Sequence, residues 1–331
     1  MGSLLLCIEL TEIQSSYKTY LQVLSMLTAN LSGYPKRPDL DAIRKYLDAG
    51  GENPFTTAVK NAVQGQKKAE IDIVTDGQIR DPVSVIAYNV PGMTTDGSVC
   101  IDGKLGAPRR PTMALDFLIA TAECGDARLV KAVLPGPFSF AKSCQVTTKS
   151  PYSSNCDVDL LFDIASIIRF EIEALKENNA RLIQIVEPIE SVKDIDIFLE
   201  MLSFVFKRVK TPICHIEGDI SSAFPQLLDA KISVISFDVV AFPQNREILK
   251  FEELFEVHEK IISLGCVDSS AAKKDSVESI ERRVIAFVDA FGYESVWISP
   301  NKNLASLPQR TAFQKLKQLT SAKNRIAARM T

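Results

Sequence analysis

The sequence is short of histidine: of 331 residues only His215 and His258 carry an imidazole, and there is one tryptophan, Trp297. Any chemistry that needs an imidazole therefore has two places to occur. Seven cysteines are present, but they are odd in number, widely spaced and never arranged Cys-x-x-Cys. That spacing excludes a zinc ribbon and points to reduced thiols in a cytoplasmic protein. Neither G-x-G-x-x-G nor G-x-x-x-x-G-K-[ST] occurs, which removes the usual phosphate loops of open doubly wound sheets. No Gly-x-Ser-x-Gly elbow accompanies either histidine, so a serine hydrolase has no nucleophile to offer. No apolar run approaches a membrane span. No basic stretch rivals a nucleic-acid patch, and the net charge of −3 is small. Leu4-Leu5-Leu6-Cys7 is too short and too soon followed by Glu9 for a secretory signal, and Leu6 stands where a myristoylation start needs Ser or Thr.

What is present is a regular alternation. Short apolar runs fall at Leu27–Leu31, Ile71–Thr75, Leu129–Leu134, Leu182–Val186, the segment ending at His215, Val234–Asp238, Leu264–Val267 and Val296–Ser299. A helical pattern follows each. The clearest is 157–177, where Leu160, Leu161, Ile164, Ile167, Ile168, Ile172 and Leu175 recur at a helical period. Others are expected at 39–47, 54–66, 194–209, near Pro225, 249–263, 276–290 and 311–328. Continuous apolar strands separated by helices mean a parallel sheet buried on both faces, and eight such units suit a single (β/α)8 TIM barrel. The barrel is expected over 26–331, after an N-terminal extension at 1–25, with residues 95–111 as a hairpin-like loop insertion. Trp297 is expected to pack the barrel against a helix, and His258 to sit solvated on the 251–262 helix.

In such a barrel the C-terminal ends of the strands share one mouth, where chemistry is done. The residues that follow the runs are Gly33 and Tyr34; Asp76, Gln78 and Arg80; Gly136; Glu187; His215, Glu217 and Asp219; Asp238; Asp268; and Asn301 and Lys302. Any one of them could be a helix cap or a loop-fixing ion pair. Together they make a polar mouth suited to a small-molecule substrate.

The ordered segments Ser32-Gly33-Tyr34-Pro35-Lys36-Arg37-Pro38, Asp76-Gly77-Gln78-Ile79-Arg80, Leu134-Pro135-Gly136-Pro137, Gln184-Ile185-Val186-Glu187-Pro188, His215-Ile216-Glu217, Asp268 and Ser299-Pro300-Asn301 resemble the catalytic barrel of the cobalamin-independent methionine synthases. The resemblance covers about residues 26–325. It implies a methyltransferase in which zinc, held by His, Cys, Glu and Cys, activates homocysteine as a thiolate. By position the histidine matches His215, the first cysteine Glu217, the glutamate Asp238 and the second cysteine Lys302. Both thiolates are gone. Two carboxylates that hold the amino acid's ammonium in the family match Gln78 and Val186, so homocysteine would lose its charge partners as well.

Two arrangements of the altered site follow from charge. A lysine ammonium beside two carboxylates stays protonated, so Lys302 could take the vacated metal position and pair with Glu217 and Asp238, with His215 at the edge. Alternatively His215, Glu217 and Asp238 could hold Mn, Fe or Zn facially. The first arrangement is the expectation: no metal, with His215, Glu217, Asp238 and Lys302 in acid/base or binding roles. Gly33, Tyr34, Asp76, Gln78, Arg80, Glu187 and Asp268 are then expected to bind substrate. The expected function is a methyltransferase-like enzyme diverged from zinc-dependent homocysteine methylation, using a folate or pterin methyl donor. The rival is a non-catalytic or donor-binding companion subunit of a separate zinc-bearing synthase core, its protein partner being that core or a second copy.

Overall fold

In a computed structural model of the chain, residues 25–35, 37–269 and 275–330 are described; the expected extension at 1–25 lies almost entirely outside them. Ten strands follow in chain order: β1 (Leu27–Thr28), β2 (Met93–Thr94), β3 (Cys100–Ile101), β4 (Lys131–Pro135), β5 (Gln145–Val146), β6 (Leu182–Pro188), β7 (Thr211–Glu217), β8 (Val234–Asp238), β9 (Ile261–Val267) and β10 (Val296–Pro300). Seven of them form one all-parallel sheet in the order β1-β10-β9-β8-β7-β6-β4.

The gap between β1 and β4 is closed by residues 71–75, which make parallel bridges Ala29 to Ile73 and Val74 to Val130. This is the second expected strand, and its pairing is reduced to two bridges for a visible reason. Gln66, buried on the helix Pro54–Lys68, accepts from the Thr75 N–H and donates to the Thr75 carbonyl, both at 2.9 Å. Asp72 turns outward and accepts from the Thr28 N–H and hydroxyl. Side chains thus satisfy polar groups that a longer ladder would have used.

Because strand side chains alternate, each barrel strand sends one set inward and one toward the helices. Ala29, Ile73, Leu182, Ile213, Val234 and Trp297 pack on one another inside the barrel as a closed apolar plug. The other set, with residues such as Ile183, Ile185, Cys214, Ile216, Ile235 and Phe237, joins the larger core beneath the helices. Trp297 is therefore a barrel-interior residue, not a barrel-to-helix contact: its parity on β10 opposes that of Val296 and Ile298, which face the helices.

The helices begin where their caps predict. Asp39, Asn53, Asp157, Asp194 and Ser276 each accept a backbone N–H in the first turn of the helix they precede. Several boundaries differ from expectation, the largest difference lying at 249–263. The helix expected at 249–263 is a 3-10 turn, Pro243–Phe251, followed by Glu252–His258, and β9 starts at Ile261 instead of Leu264. Glu259 takes a left-handed backbone (φ 47°), and Ile261 pairs with Val234. The apolar stretch Ile261-Ile262-Ser263-Leu264 fits either period, and pairing with β8 decides it. His258 consequently ends a helix, half-buried, 3.8 Å from Asp229, instead of lying solvated mid-helix. The insertion is a hairpin of β2 and β3, extended by β5 into a three-stranded sheet. Among the described residues no helix is long and apolar enough to cross a membrane.

Candidate functional site

Directly above the apolar plug lies a polar tier built by the same inward parity: Lys131 on β4, Gln184 on β6, His215 on β7, Ser236 on β8 and Ser263 on β9. All are buried. Lys131 Nζ donates to Gln184 Oε1 at 2.5 Å, and Gln184 Nε2 donates to the Leu31 carbonyl at 3.1 Å. His215 Nδ1 lies 2.9 Å from Ser236 Oγ. Burial, reinforced by the nearby Lys131 charge, pushes the His215 imidazole down to about 3, so it is neutral at physiological pH. Burial alone lowers the Lys131 ammonium to about 7.

Asp238 and Glu217, also inward-facing, stand one step higher. Asp238 is buried with both oxygens hydrogen-bonded: Oδ1 accepts from the Val240 and Ala241 N–H groups at 2.7 and 2.9 Å, and Oδ2 accepts from Asn301 Nδ2 at 2.9 Å. Asn301 Oδ1 in turn accepts from the Ser269 N–H at 2.8 Å. Glu217 is exposed at the rim. Lys302 is exposed too; its backbone N–H donates to Ser269 Oγ, and its ammonium makes no ion pair among the described residues. The expected Lys302–Glu217–Asp238 cluster is therefore not formed. A bulge in the β10 ladder between Ser299 and Pro300 turns Asn301, one residue earlier, onto Asp238. The facial metal arrangement is not assembled either: among the described residues no three His, Cys, Asp or Glu side chains come together as metal ligands.

Glu187 needs a second correction. It shares its parity with Ile183 and Ile185, so it faces the helix layer while Val186 faces the mouth. Its oxygens accept from the Phe138 and Ser139 N–H groups at 3.3 and 2.9 Å, at the start of the helix Pro137–Lys142. Burial outweighs those two bonds and pushes the carboxyl up to about 8. Tyr34 likewise leaves the mouth: its ring packs in the helix-side core against Gly65.

Asp76, Gln78 and Arg80 stay together. The Gln78 N–H donates to Asp76 Oδ1 at 2.8 Å, and Gln78 Oε1 accepts from Asn303 Nδ2 at 3.2 Å, tying this loop to the one after β10 beside Gly33. Burial raises the Asp76 carboxyl to about 6. Arg80 is already paired with Asp116 and lies over the Phe55 ring at 4.6 Å. The Asp268 N–H donates to Asp275 and its carbonyl accepts from the buried Lys315. The sequence reading gave no role to Lys131, Gln184, Ser236 and Asp116, and it placed Asn301 at the mouth without assigning it one. The signal for the first three was a polar residue at an inward position of an otherwise apolar run.

Residues 26–325 match the family model described as "Cobalamin-independent synthase, Catalytic domain". The chain belongs to this family. Methionine synthase of Methanothermobacter marburgensis is 27% identical over 312 residues, covering 90% of this chain and 99% of the relative. That of Methanocaldococcus jannaschii is 28% identical over 327 residues, covering 90% and 98%. Among solved structures, a B12-independent methionine synthase from a Shewanella species, in complex with selenomethionine, superposes with a TM-score of 0.76 at 16% identity, covering 92% of this chain and 99% of that one. The structural likeness carries the barrel fold of these synthases. The sequence matches carry membership of their family.

Proposed function

We propose that this family member is a methyltransferase-like enzyme that no longer uses zinc-activated homocysteine and instead methylates a small polar substrate from a folate or pterin donor. The observation that carries the reading is the hydrogen bonding of Asp238. At the position of a metal-ligating carboxylate, both oxygens are taken by Val240, Ala241 and Asn301. The other positions offer an imidazole, an exposed carboxylate and an ammonium, and no thiolate. The His, Cys, Glu and Cys set of the family is not reproduced, and among the described residues no three of these groups come together as ligands. In its place the barrel presents neutral His215 as a proton acceptor or hydrogen-bond partner, while Glu217 and Lys302 at the rim, with Asp76, Gln78 and Arg80 across the mouth, orient charged groups of substrate.

A second reading, a companion subunit of a separate zinc-bearing core, is favoured by one feature. Tyr88 and Leu115 are 73% and 57% exposed and line an open groove with Phe55, Arg80 and Arg110 beside the hairpin insertion. Such a patch suits a protein surface.

A thermal-shift screen against homocysteine, folates and pterins separates these. Binding at a hundredfold excess over Kd adds about 2.7 kcal/mol of stability. A rise of several degrees with a folate or pterin, and none with homocysteine, is expected. A rise with homocysteine alone contradicts the reading. No rise with any of them, together with co-purification of a synthase core, favours the companion.

A further inference from the structure

The polar tier has polar groups that lack hydrogen-bond partners among the described residues. Lys131, 3% exposed, has no carboxylate partner among the described residues, where the neutral Gln184 amide is its one hydrogen-bond acceptor. His215 uses Nδ1 for Ser236, and no described group hydrogen-bonds its Nε2. Ser263, 4% exposed, makes no side-chain hydrogen bond among the described residues. Among the described residues, neither His215 Nε2 nor Ser263 Oγ is one of the fully enclosed polar side-chain atoms that lack a hydrogen-bond partner. Both therefore keep a little surface that water can touch. A cation taken out of water without a counterion is costly, and polar hydrogens in such a place are unsatisfied until something accepts from them.

We propose that this tier is a seat for a carboxylate, so that the substrate enters the barrel carboxylate first, with one oxygen on Lys131 Nζ and the other reached by Ser263 Oγ and His215 Nε2. The charge count selects the class. A bound carboxylate would hold Lys131 in its ammonium form, and one ammonium with two neutral polar groups matches a single negative charge. A phosphate dianion would bring a second charge toward Asp238 and Glu217, which stand immediately above. Val186, uncharged and half-buried on the mouth side of β6, leaves the approach free of a third carboxylate. The inference rests on the reading above only in taking the barrel to bind a small molecule. It needs neither methyl donor nor methyl transfer.

The test is a titration of the full chain with sodium acetate at constant ionic strength, chloride making up the balance, read as the shift in Tm. A parallel titration uses inorganic phosphate. The wild-type chain should show a saturable rise with acetate. In Lys131→Met, which replaces the stem with an apolar one of similar length, the apparent Kd should weaken at least about tenfold, the size expected for one charge-assisted hydrogen bond. Ser263→Ala, a mild change, should weaken it several-fold and covers the case in which Lys131→Met does not fold. Lys317→Met, which removes the same charge from the surface, should bind acetate as the wild type does. No saturable effect of acetate, equal binding by Lys131→Met or Ser263→Ala, or phosphate binding in preference to acetate would overturn the assignment. Because no donor or acceptor is present, the outcome is independent of the folate and pterin screen.

Discussion

Glu187→Gln gains stability over the wild-type chain as the pH rises, by up to about 5 kcal/mol between pH 4 and pH 9. The carboxyl titrates at 4.5 when unfolded and at about 8 when folded, and each pK unit is worth about 1.4 kcal/mol. Between those values the folded chain holds a proton that the unfolded chain has released, so stability falls with pH across the window. Below 4.5 the contribution is fully present; above about 8 it is lost. Glutamine keeps the neutral form at every pH. At pH 4 the variant should be slightly the less stable, since one amide oxygen replaces two oxygens that accept from Phe138 and Ser139. The curves therefore cross. His215 and Lys131, both lowered by burial, oppose the trend in the wild-type profile, and Asp76 adds to it. All three titrate equally in both proteins and cancel in the difference. Urea denaturation of the pair at pH 4, 6 and 9 checks this, and a gap that does not change with pH would contradict it.

Gly136→Ala should be among the most damaging single methyl groups that can be added to this chain, at about 3 kcal/mol. An added Cβ would lie 2.2 Å from Glu187 Cδ and 2.3 Å from Oε1. The carboxyl cannot swing aside without leaving the two N–H groups that hold it. Gly136 has an ordinary extended backbone (φ −78°, ψ 172°), so the glycine is required for space, not for conformation. The clash disappears when Glu187 is shortened. A double-mutant cycle of Gly136→Ala and Glu187→Ala should show a coupling of about 2 kcal/mol, the double variant being more stable than the two losses sum to. Strict additivity would mean that the loop moves to admit the methyl group.

The barrel was legible because its eight apolar runs are buried on both faces, which leaves little ambiguity about a parallel sheet. Seven appear as ladder strands and the eighth as two bridges, where Gln66 took the backbone groups. The site was legible in position but not in direction. Glu187 and Val186 both end β6, and only parity separates the residue that holds a helix from the one that faces the mouth. Lys302 and Asn301 could not be separated even by parity, because the bulge at Ser299 and Pro300 shifts the register where it matters. Lys131 was hidden for another reason: a lysine at the start of a strand ordinarily reaches water. Here the closed barrel folds its stem inward to Gln184.

We propose that Asp238, held by Asn301 and two backbone N–H groups, belongs to a barrel without the zinc that its resemblance to the family implies. Zinc content of the full chain, purified from zinc-supplemented cells and followed by melting with and without a chelator, tests it most directly. Well below one zinc per chain and a Tm indifferent to the chelator are expected, since a bound structural or catalytic ion stabilises the folded state that holds it. One zinc per chain, with a lower Tm once it is stripped, would contradict it.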